Sequence, residues 1–472
     1  MQIQKPMKVY RFLALSLVLA SISLSCKEID PTPLPPPVVV TPPSPGTANF
    51  AKYVAVGNSL TAGFSDNGLF RAGQLVSYPN LLAQRFAQAG GGPFIQPLFG
   101  TSEANGSTYL QLVGLPLTGL PNLAPVTHNT AILRYVNTAI PYAFNNDPAG
   151  GDDTPVFSQF TGPNQNLGVP GLSMAQVDDV GLGLENTTGF SPFFERLLAD
   201  DMANATKTYL QYVTEQSAGV TFFTFWLGNN DVLIPAATGG LLPVTPQGTF
   251  EANAEALLNV LTAGGADGVI VSIPDVTLVP FFTTITEALI LSEVNAGLPM
   301  GVPPFADLFI QTAGGPRAMG AGDFLMIGSQ DNYANIGQPV GAGAPFPYGL
   351  DPNNPITTDA VLDSDEVTLI QNTLNAYNAY LEAEANDRDL AFLEVNALLE
   401  QANTTGYPSN GLVYTLDFIT GGIVSLDGVH LTPAGNAIVA NEILKVINTK
   451  YGATFGLYNT TNFSTLPNIR YE

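Results

Sequence analysis

The stretch VAVGNSLTAG (residues 54–63) joins an apolar run to a turn of small polar residues. The apolar run predicts a short buried strand. Asn and Ser directly after it are good helix N-caps, so a helix is expected to begin there. The stretch therefore predicts a strand–turn–helix unit with Ser59 at the end of the strand. Ser59 is either a helix cap or a nucleophile, and this stretch alone leaves both roles open.

The same order of strand and helix continues along the chain. Apolar runs predict strands at GVTFFTFWLGNND (219–231), GVIVSIPD (268–275) and LAFLEVNALL (390–399). Apolar residues at helical spacing predict helices at 78–90, 191–213, 249–265, 365–389 and 432–452. Strands that are apolar throughout and alternate with helices are typical of a parallel sheet covered on both faces. The pattern predicts an α/β fold from about residue 50 onward.

Two long segments, 101–165 and 276–362, interrupt this pattern. Both are rich in Gly and Pro and fit no regular element. Loops of this length are usually functional or disordered. We therefore expect two long irregular insertions in the α/β domain.

The N-terminus has the three parts of a secretory signal. Basic residues precede the apolar run FLALSLVLASISL (12–24), which is shorter than a typical transmembrane helix. The run leads to SLSC, so a signal peptidase would leave Cys26 as the first mature residue. We expect residues 1–25 to be a signal peptide and Cys26, the only cysteine, to carry a lipid. An ordinary signal peptide with an incidental thiol is the alternative.

A proline-rich run, PTPLPPPVVVTPPSPG (31–46), follows Cys26. Such sequences form semi-rigid extended tethers. The expected organisation is a lipidated cysteine with its tether at 26–48 and one globular domain at 49–472. We expect a lipoprotein at the outer membrane or cell surface, with the lipid anchor as its contact with the membrane.

Composition limits the other partners. The chain carries 15 basic and 39 acidic residues, a net charge of −24, which disfavours binding to nucleic acid. A lone cysteine allows no intrachain disulfide. We also expect the protein to be a monomer. A metal site is poorly supported. The acidic stretches DPNNP (351–355) and DSDE (363–366) could suit Ca²⁺, but turns and helix caps also explain them.

Only two histidines are present, which narrows the search for a general base. His128 lies in an insertion and is most simply a loop residue. His430 lies in SLDGVHLTPAGNAIV, on a turn before the last helix and three residues after Asp427. A carboxylate at that spacing can receive the Nδ1–H of the imidazole and leave Nε2 free as a base. Ser59 and His430 are therefore candidate partners, although a solvated capping turn would have the same sequence.

A serine nucleophile that attacks a carbonyl also needs hydrogen-bond donors for the developing oxyanion. WLGNND (226–231) ends a buried strand with Asn230, whose amide could be one donor. NLGVPGLS (166–173) contains Gly171, whose backbone N–H can approach a ligand because no Cβ obstructs it. Both stretches also fit ordinary turns.

Taken in order, the segments GNSLTAG, NLGVPG, GNND and DGVH resemble the four sequence blocks of the SGNH or GDSL-type hydrolases. The resemblance covers about residues 50–455, apart from the two insertions. It implies a flavodoxin-like three-layer α/β/α fold with a central parallel sheet. It also implies a serine esterase or lipase that needs no cofactor and no metal.

The resemblance implies roles for individual residues. Ser59 corresponds to the nucleophile of a catalytic triad, and Asp427 and His430 correspond to its other members. The backbone N–H groups of Ser59 and Gly171 and the side-chain amide of Asn230 correspond to the oxyanion hole. No G-x-S-x-G elbow, the motif of α/β-hydrolases, surrounds Ser59.

Asn58 departs from the family's usual motif, which has Asp before the serine. Asn has the shape of Asp without its charge, so it can keep a hydrogen bond while it changes the local charge. Because that Asp is not the triad acid, we expect activity to survive.

The sequence is compatible with more than one class of substrate. Residues 276–309 are apolar enough to line an acyl pocket or form a lid, or they form a helix packed against the core. The first possibility favours carboxylic esters with short-to-medium acyl chains or lipid esters. A carbohydrate O-acetyl ester is an alternative that suits a surface lipoprotein. A surface binding lipoprotein without catalysis is a further alternative.

Overall fold

Residues 42–115, 121–137, 153–185, 189–199, 204 and 206–465 are described by the structure, a computed structural model. In chain order the strands are β1 (Tyr53–Gly57), β2 (Leu110–Gly114), β3 (Asn122–Pro125), β4 (Ile132–Asn137), β5 (Asp153–Phe157), β6 (Asn166–Gly168), β7 (Phe222–Trp226), β8 (Asp267–Val271), β9 (Phe309–Thr312), β10 (Gly315–Ala318), β11 (Phe324–Leu325), β12 (Val361–Leu362), β13 (Ala391–Leu393), β14 (Tyr407–Ser409) and β15 (Leu412–Tyr414).

The helices are α1 (Ser59–Ala62), α2 (Arg71–Leu75), α3 (Tyr78–Phe86), α4 (Pro192–Glu195), α5 (Tyr209–Gln216), α6 (Asn230–Ala237), α7 (Gln247–Thr262), α8 (Pro280–Thr283), α9 (Glu287–Ala296), α10 (Gln330–Tyr333), α11 (Ser364–Asp387), α12 (Asn396–Thr404) and α13 (Pro433–Tyr451).

The central sheet has the strand order β13-β8-β7-β1-β6, and all of its strands are parallel. Every residue of β1 and β7 is buried, which explains why these runs lack the polar alternation of a half-exposed strand. The register places Gly57 opposite both Gly168 and Trp226. The carboxyl ends of β1, β6 and β7 therefore meet at one edge, and the residues that follow them come together there.

Helices cover both faces of this sheet. Val54 and Val56 pack in a core with helices α5, α7 and α11. Tyr53 and Ala55 pack in a second core with helices α3, α12 and α13. Alternate residues of β1 thus face opposite layers, as strand geometry requires. The predicted three-layer α/β/α fold with a central parallel sheet is confirmed.

The two insertions contain more regular structure than the sequence predicted. Residues 101–165 include the antiparallel ribbons β2–β3 and β4–β5, and residues 276–362 include helices α8 to α10 and the ribbons β9–β10 and β11–β12. These strands have two to six residues, and Gly and Pro lie between them. These strands are too short for the alternation of apolar and polar residues to be recognised in the sequence. All four ribbons lie outside the central sheet.

Two expected elements have different boundaries. In the described part of 191–213, α4 and α5 are separate helices, because Thr208 forms a new N-cap in a capping box with Gln211. The strand expected at 390–399 is shorter, since β13 ends at Leu393 and α12 begins at Asn396. A continuous apolar run does not distinguish one long element from two short ones that share a core.

The predicted signal peptide (1–25), Cys26 and the tether up to residue 41 lie outside the described residues. Further along, the N–H of Thr47 donates to the carbonyl oxygen of Tyr451 at 2.8 Å, and Ala48 is buried in the core. The last residues of the segment predicted as a tether are thus attached to helix α13. In the part of the chain that the structure describes, no helix combines the length and apolarity needed to span a membrane.

Gly168 sets how closely helix α1 approaches the sheet. A Cβ at this position would lie 2.4 Å from the backbone nitrogen of Ala62 and 2.8 Å from the carbonyl carbon of Thr61. Relief of this overlap would have to shift backbone. We predict that Gly168→Ala lowers the free energy of unfolding by about 1–3 kcal/mol, measured by urea denaturation.

Gly248→Ala is the matched control for this substitution. Gly248 lies on α7, where no atom comes within 4 Å of an added Cβ. Because Ala has a higher helix propensity than Gly, the free energy of unfolding should stay equal or rise. Equal stability of the two variants would contradict the close packing of α1 on β6.

Candidate active site

Ser59 lies at the carboxyl end of β1 and is the first residue of the four-residue helix α1. The Asn58 side chain caps this helix, because its Oδ1 accepts the N–H of Leu60 at 3.3 Å. Gly63 ends the helix in the left-handed conformation (φ 83°), and its N–H donates to the carbonyl oxygen of Ser59 at 3.1 Å. This short turn leaves the Ser59 side chain only slightly exposed, at the edge of the sheet where the parallel strands end.

His430 lies on the turn before α13 and contacts Ser59 directly. Its Nε2 is 2.8 Å from Oγ of Ser59, and its Nδ1 is 2.9 Å from Oδ2 of Asp427. With the carboxylate accepting at Nδ1, the unprotonated Nε2 faces the serine hydroxyl. The structure thus brings together three residues that the sequence placed at the two ends of the domain.

The Asp427 carboxylate is held by several donors. Its Oδ1 accepts the N–H groups of Val429 (2.9 Å) and His430 (2.8 Å), and its Oδ2 accepts the N–H of Asn67 (2.7 Å). Burial by itself acts to raise its pKa, but the neighbouring imidazole and these hydrogen bonds outweigh that effect and hold the pKa of Asp427 well below its usual range. The group is therefore ionised at neutral pH and can stabilise a protonated imidazole.

The loop after α1 holds the Asp427 turn in place. The Asp66 N–H donates to the hydroxyl of Ser425 (2.9 Å), and Oδ1 of Asp66 accepts the N–H of Leu426 (3.0 Å). Asp66 and Asn67 both have positive φ, at 52° and 59°. Neither residue is predicted from the sequence as part of the site. The run SDNG (65–68) signals a turn, but nothing local indicates what that turn contacts.

Gly171 and Asn230 line the same cleft as Ser59 and His430. Among the described residues, the backbone N–H groups of Ser59 and Gly171 have no hydrogen-bond acceptor. Buried N–H groups without a partner are rare in folded proteins. Ser59 is buried, whereas Gly171 is exposed and its N–H is open to water or a ligand. The Asn230 amide donates one hydrogen to the carbonyl oxygen of Leu172 at 2.8 Å, which leaves its second hydrogen available. These donors could stabilise a negative charge that develops beside Ser59.

The cleft has a volume of about 740 Å³, counted with its open mouth. Aromatic and aliphatic side chains form much of the rest of its wall: Phe64, Phe157, Phe193, Leu233 and Ile234. Phe157 comes from β5, so the insertion 101–165 contributes to this wall. Such a wall suits an apolar ligand better than a strongly hydrated one.

The apolar segment 276–309 contributes no residue to the described lining of the cleft. Helix α8 packs instead beneath the turn that carries His430, where the N–H of Phe281 donates to the carbonyl oxygen of Gly428 at 2.9 Å. Phe281 and Phe282 are buried in the core. Of the two possibilities for this segment, packing against the core is the one that the structure shows.

His128 lies in an exposed turn of the other insertion, where its carbonyl oxygen accepts the side-chain amide of Asn105 at 2.6 Å. Of the two carboxylate-rich stretches, DSDE (363–366) caps α11 through Asp363, and DPNNP (351–355) forms a turn in which Asp351 accepts the N–H of Asn353. Within the described ranges, no group of three or more His, Cys, Asp or Glu side chains is arranged to hold a metal ion.

A family model described as GDSL-like Lipase/Acylhydrolase matches residues 53–443. The match covers most of the chain, from the first residue of β1 into helix α13. It includes every residue of the cleft described above. The sequence matches no curated protein.

A buried carboxylate directly follows Asn230 in the sequence. Asp231 is 2% exposed and accepts the N–H groups of Met174 (2.7 Å) and Ala175 (3.3 Å) and the hydroxyl of Thr245. The bonds from Met174 and Ala175 attach the segment that follows β6, which contains Gly171, to helix α6. Burial raises the pKa of Asp231 to about 6, and the hydrogen bonds oppose that effect only in part.

Because the pKa of Asp231 is raised in the folded chain, folding favours its protonated form. Its stabilising contribution is therefore present below about pH 4 and is lost as the pH rises through the folded-state value. We predict that the wild type loses about 3 kcal/mol of unfolding free energy relative to Asp231→Asn between about pH 3 and pH 7. Urea denaturation at a series of pH values measures this difference, with Asp307→Asn, at an exposed position, as the control. A pH-independent difference would contradict the raised pKa.

Proposed function

Since the chain belongs to the GDSL-like lipase/acylhydrolase family and is therefore a hydrolase of ester or acyl groups, we propose that it cleaves carboxylic esters through an acyl-enzyme on Ser59. The observation that carries this proposal is the 2.8 Å contact between Oγ of Ser59 and Nε2 of His430. The contact of Asp427 with the other imidazole nitrogen supports it.

The first half of the proposed reaction transfers the acyl group to the enzyme. Nε2 of His430 accepts the proton of the Ser59 hydroxyl while Oγ forms a bond to the ester carbonyl carbon. The carbonyl oxygen takes up the negative charge, and ionised Asp427 stabilises the imidazolium. When the carbonyl re-forms, the bond to the alcohol oxygen breaks and His430 gives its proton to that oxygen. The alcohol leaves, and the acyl group is esterified to Ser59.

The negative charge on the carbonyl oxygen needs donors that are already in place. We assign this role to the backbone N–H groups of Ser59 and Gly171 and to the amide of Asn230. The two unpaired N–H groups and the free hydrogen of the amide support the assignment. A donor of this kind contributes about 3 kcal/mol to the stability of the transition state.

In the second half, water replaces the alcohol. Nε2 of His430 accepts a proton from a water molecule while the water oxygen attacks the acyl carbon. The bond between that carbon and Oγ of Ser59 then breaks, and His430 returns the proton to Oγ. The sum is ester plus water to carboxylic acid plus alcohol, and the enzyme is restored.

For the substrate we propose carboxylic esters with short-to-medium acyl chains, or lipid esters. The apolar wall that includes Phe157, Phe193 and Ile234 supports this choice, because burial of methylene groups against such a wall is favourable. A carbohydrate O-acetyl ester is the second candidate, and Asn67 and Ser107 are the hydrogen-bonding side chains of the described lining that could contact its sugar. Hydrolysis of an acyl-chain-length series compared with release of acetate from acetylated xylan separates the two.

A surface lipoprotein that binds a ligand without catalysis is the rival proposal. The hydrogen-bonded set of Ser59, His430 and Asp427 counts against it, because a site that only binds a ligand has no need of a base beside a hydroxyl. Covalent labelling by a fluorophosphonate probe supports catalysis, and inertness toward the probe supports the rival.

For its location, we propose a monomeric lipoprotein of the outer membrane or cell surface, anchored through a lipid on Cys26. The signal-like N-terminus, the position of the lone cysteine and the proline-rich run support this proposal. The net charge of −24 supports the view that neither nucleic acid nor an anionic membrane surface is a partner.

Replacement of Ser59 by Ala tests the proposed nucleophile. We predict a loss of at least about 10³-fold in kcat for p-nitrophenyl acetate and butyrate, because neither the attack nor the acyl-enzyme is then possible. The control is Ser292→Ala, which removes an exposed hydroxyl on α9 and should leave kcat unchanged. Unchanged turnover by the Ser59 variant would end the assignment.

Asn58, the residue that departs from the family's usual motif, is fully buried beside Ser59. Its Oδ1 accepts the N–H of Leu60 and the amide of Asn229 at 3.4 Å. Nδ2 of Asn58 and Oδ1 of Asn229 have no hydrogen-bond partner. The contacts that Asn58 makes are thus those of an acceptor, which a carboxylate could also make.

We therefore predict that Asn58→Asp keeps kcat/KM for p-nitrophenyl butyrate within about tenfold of the wild type, a factor equal to about one hydrogen bond. Asn58→Leu, which has a similar size and no acceptor, should lose more activity and about 1 kcal/mol of stability, because α1 loses its cap. If the Asp variant were inactive while it remained folded, a neutral side chain at this position would be part of the mechanism.

A further inference from the structure

We infer that the two ends of the cleft bind different parts of the ester, an aliphatic acyl chain against Leu233 and Ile234 and a polar alcohol beside Phe64 and Asn67. This inference rests on the proposed function and extends it, because it names which side chains select each half of the substrate.

The stereochemistry of the proposed reaction separates the two halves. In the tetrahedral intermediate the former carbonyl carbon is bonded to Oγ of Ser59, to the oxyanion, to the alcohol oxygen and to the acyl carbon. His430 must protonate the alcohol oxygen, so the alcohol lies on the imidazole side. The oxyanion faces Gly171 and Asn230. The acyl carbon takes the remaining direction, away from His430.

The acyl end is formed by helix α6, which begins at Asn230. Leu233 and Ile234 follow Asn230 by three and four residues, so they lie on the same face of the helix as the amide that would hold the oxyanion. Both line the cleft. An acyl chain that leaves the carbonyl carbon on this side would therefore run along two aliphatic side chains.

The alcohol end surrounds the imidazole. The rings of Phe64 and His430 have centroids 4.7 Å apart. Asn67 also lines the cleft, and its backbone N–H is bonded to Asp427, so its position is fixed relative to the triad. Its side-chain amide can pair with a hydroxyl or carbonyl group of the alcohol. Ser107 lines this end too, but its hydroxyl already accepts the N–H of Leu69 at 2.8 Å.

A row of three aromatic rings continues from Phe64 along the wall of the cleft. Phe193 lies between Phe64 and Phe157, with ring centroids at 6.0 Å and 5.1 Å respectively. The three rings form a continuous apolar surface, against which the apolar parts of the ester can pack. Asn67 is the hydrogen-bonding side chain at the alcohol end, and the aliphatic residues of α6 form the acyl end.

The acyl end is tested with p-nitrophenyl acetate, butyrate and octanoate, which share one leaving group. Ile234→Trp should fill the acyl end and lower the ratio of kcat/KM for octanoate to kcat/KM for acetate by about tenfold or more. Ile234→Ala, which carries less risk to folding, should weaken the preference for octanoate over acetate in the same direction. Leu369→Ala, on an exposed position of α11, is the control that should change neither ratio.

The alcohol end is tested with one acyl group and two alcohols, p-nitrophenyl butyrate and glyceryl monobutyrate. Asn67→Gly removes the amide without strain, because Gly tolerates the positive φ of this position. We expect the ratio of kcat/KM for the glyceryl ester to kcat/KM for the p-nitrophenyl ester to fall by about tenfold. The order of the acyl series should not change in this variant.

The outcomes separate this inference from the proposed function. If Ser59→Ala is inactive but Ile234→Trp lowers kcat/KM equally for all three acyl chains, the inference is wrong and the proposed function stands. The same holds if the Ile234 variants change the alcohol preference and Asn67→Gly changes the acyl preference. If Ser59→Ala retains full turnover, the proposed function itself is wrong.

Discussion

The site depends on one chain of hydrogen bonds, from Asp427 through His430 to Ser59. The imidazole and the hydroxyl that it joins are 371 residues apart in the sequence. Their contact is possible only because β1 and the turn before α13 reach the same edge of one parallel sheet, where Ser59 follows the end of β1 as the first residue of α1. The loop that contains Asp66 and Asn67 then fixes the turn by backbone hydrogen bonds. Packing of the sheet and helices brings Ser59 and His430 close together, and these hydrogen bonds orient the turn that carries Asp427 and His430.

The sequence predicted four strands of the central sheet and most of its covering helices, because each of these has a local signature. It did not predict the three-residue β6, whose residues fit a turn equally well. Buried parallel strands are apolar throughout, so a serine that ends such a run is easily noticed. Because the chain has only two histidines, few residues could serve as its base. The contact of Asn67 with Asp427 has no such signature. Its turn has an ordinary composition, and its partner is 360 residues away. Short helices such as α4 and α5 were also joined in error, because hydrophobicity reports burial but not where an element ends.

The contacts of the two insertions could not be predicted from the sequence either. Both carry apolar residues, yet they serve different parts of the site. The insertion 101–165 contributes Phe157 to the wall of the cleft, whereas 276–362 contributes Phe281 to the support of the His430 turn. Burial of an aromatic ring stabilises either arrangement to a similar degree. Which surface a segment covers depends on its connections at both ends, and composition contains no information about those.

Two buried carboxylates near the cleft show how one physical rule gives opposite results. Asp427 and Asp231 both accept backbone N–H groups, and burial acts to raise the pKa of each. At Asp427 the imidazole of His430 reverses the outcome, so the group stays ionised wherever an imidazole can act as a base. At Asp231 the donors are neutral and burial prevails. A carboxylate that must stabilise a developing cation needs that cation beside it. Among the described residues, Asp231, which orders a loop, has no such neighbour, and its charge changes near pH 6.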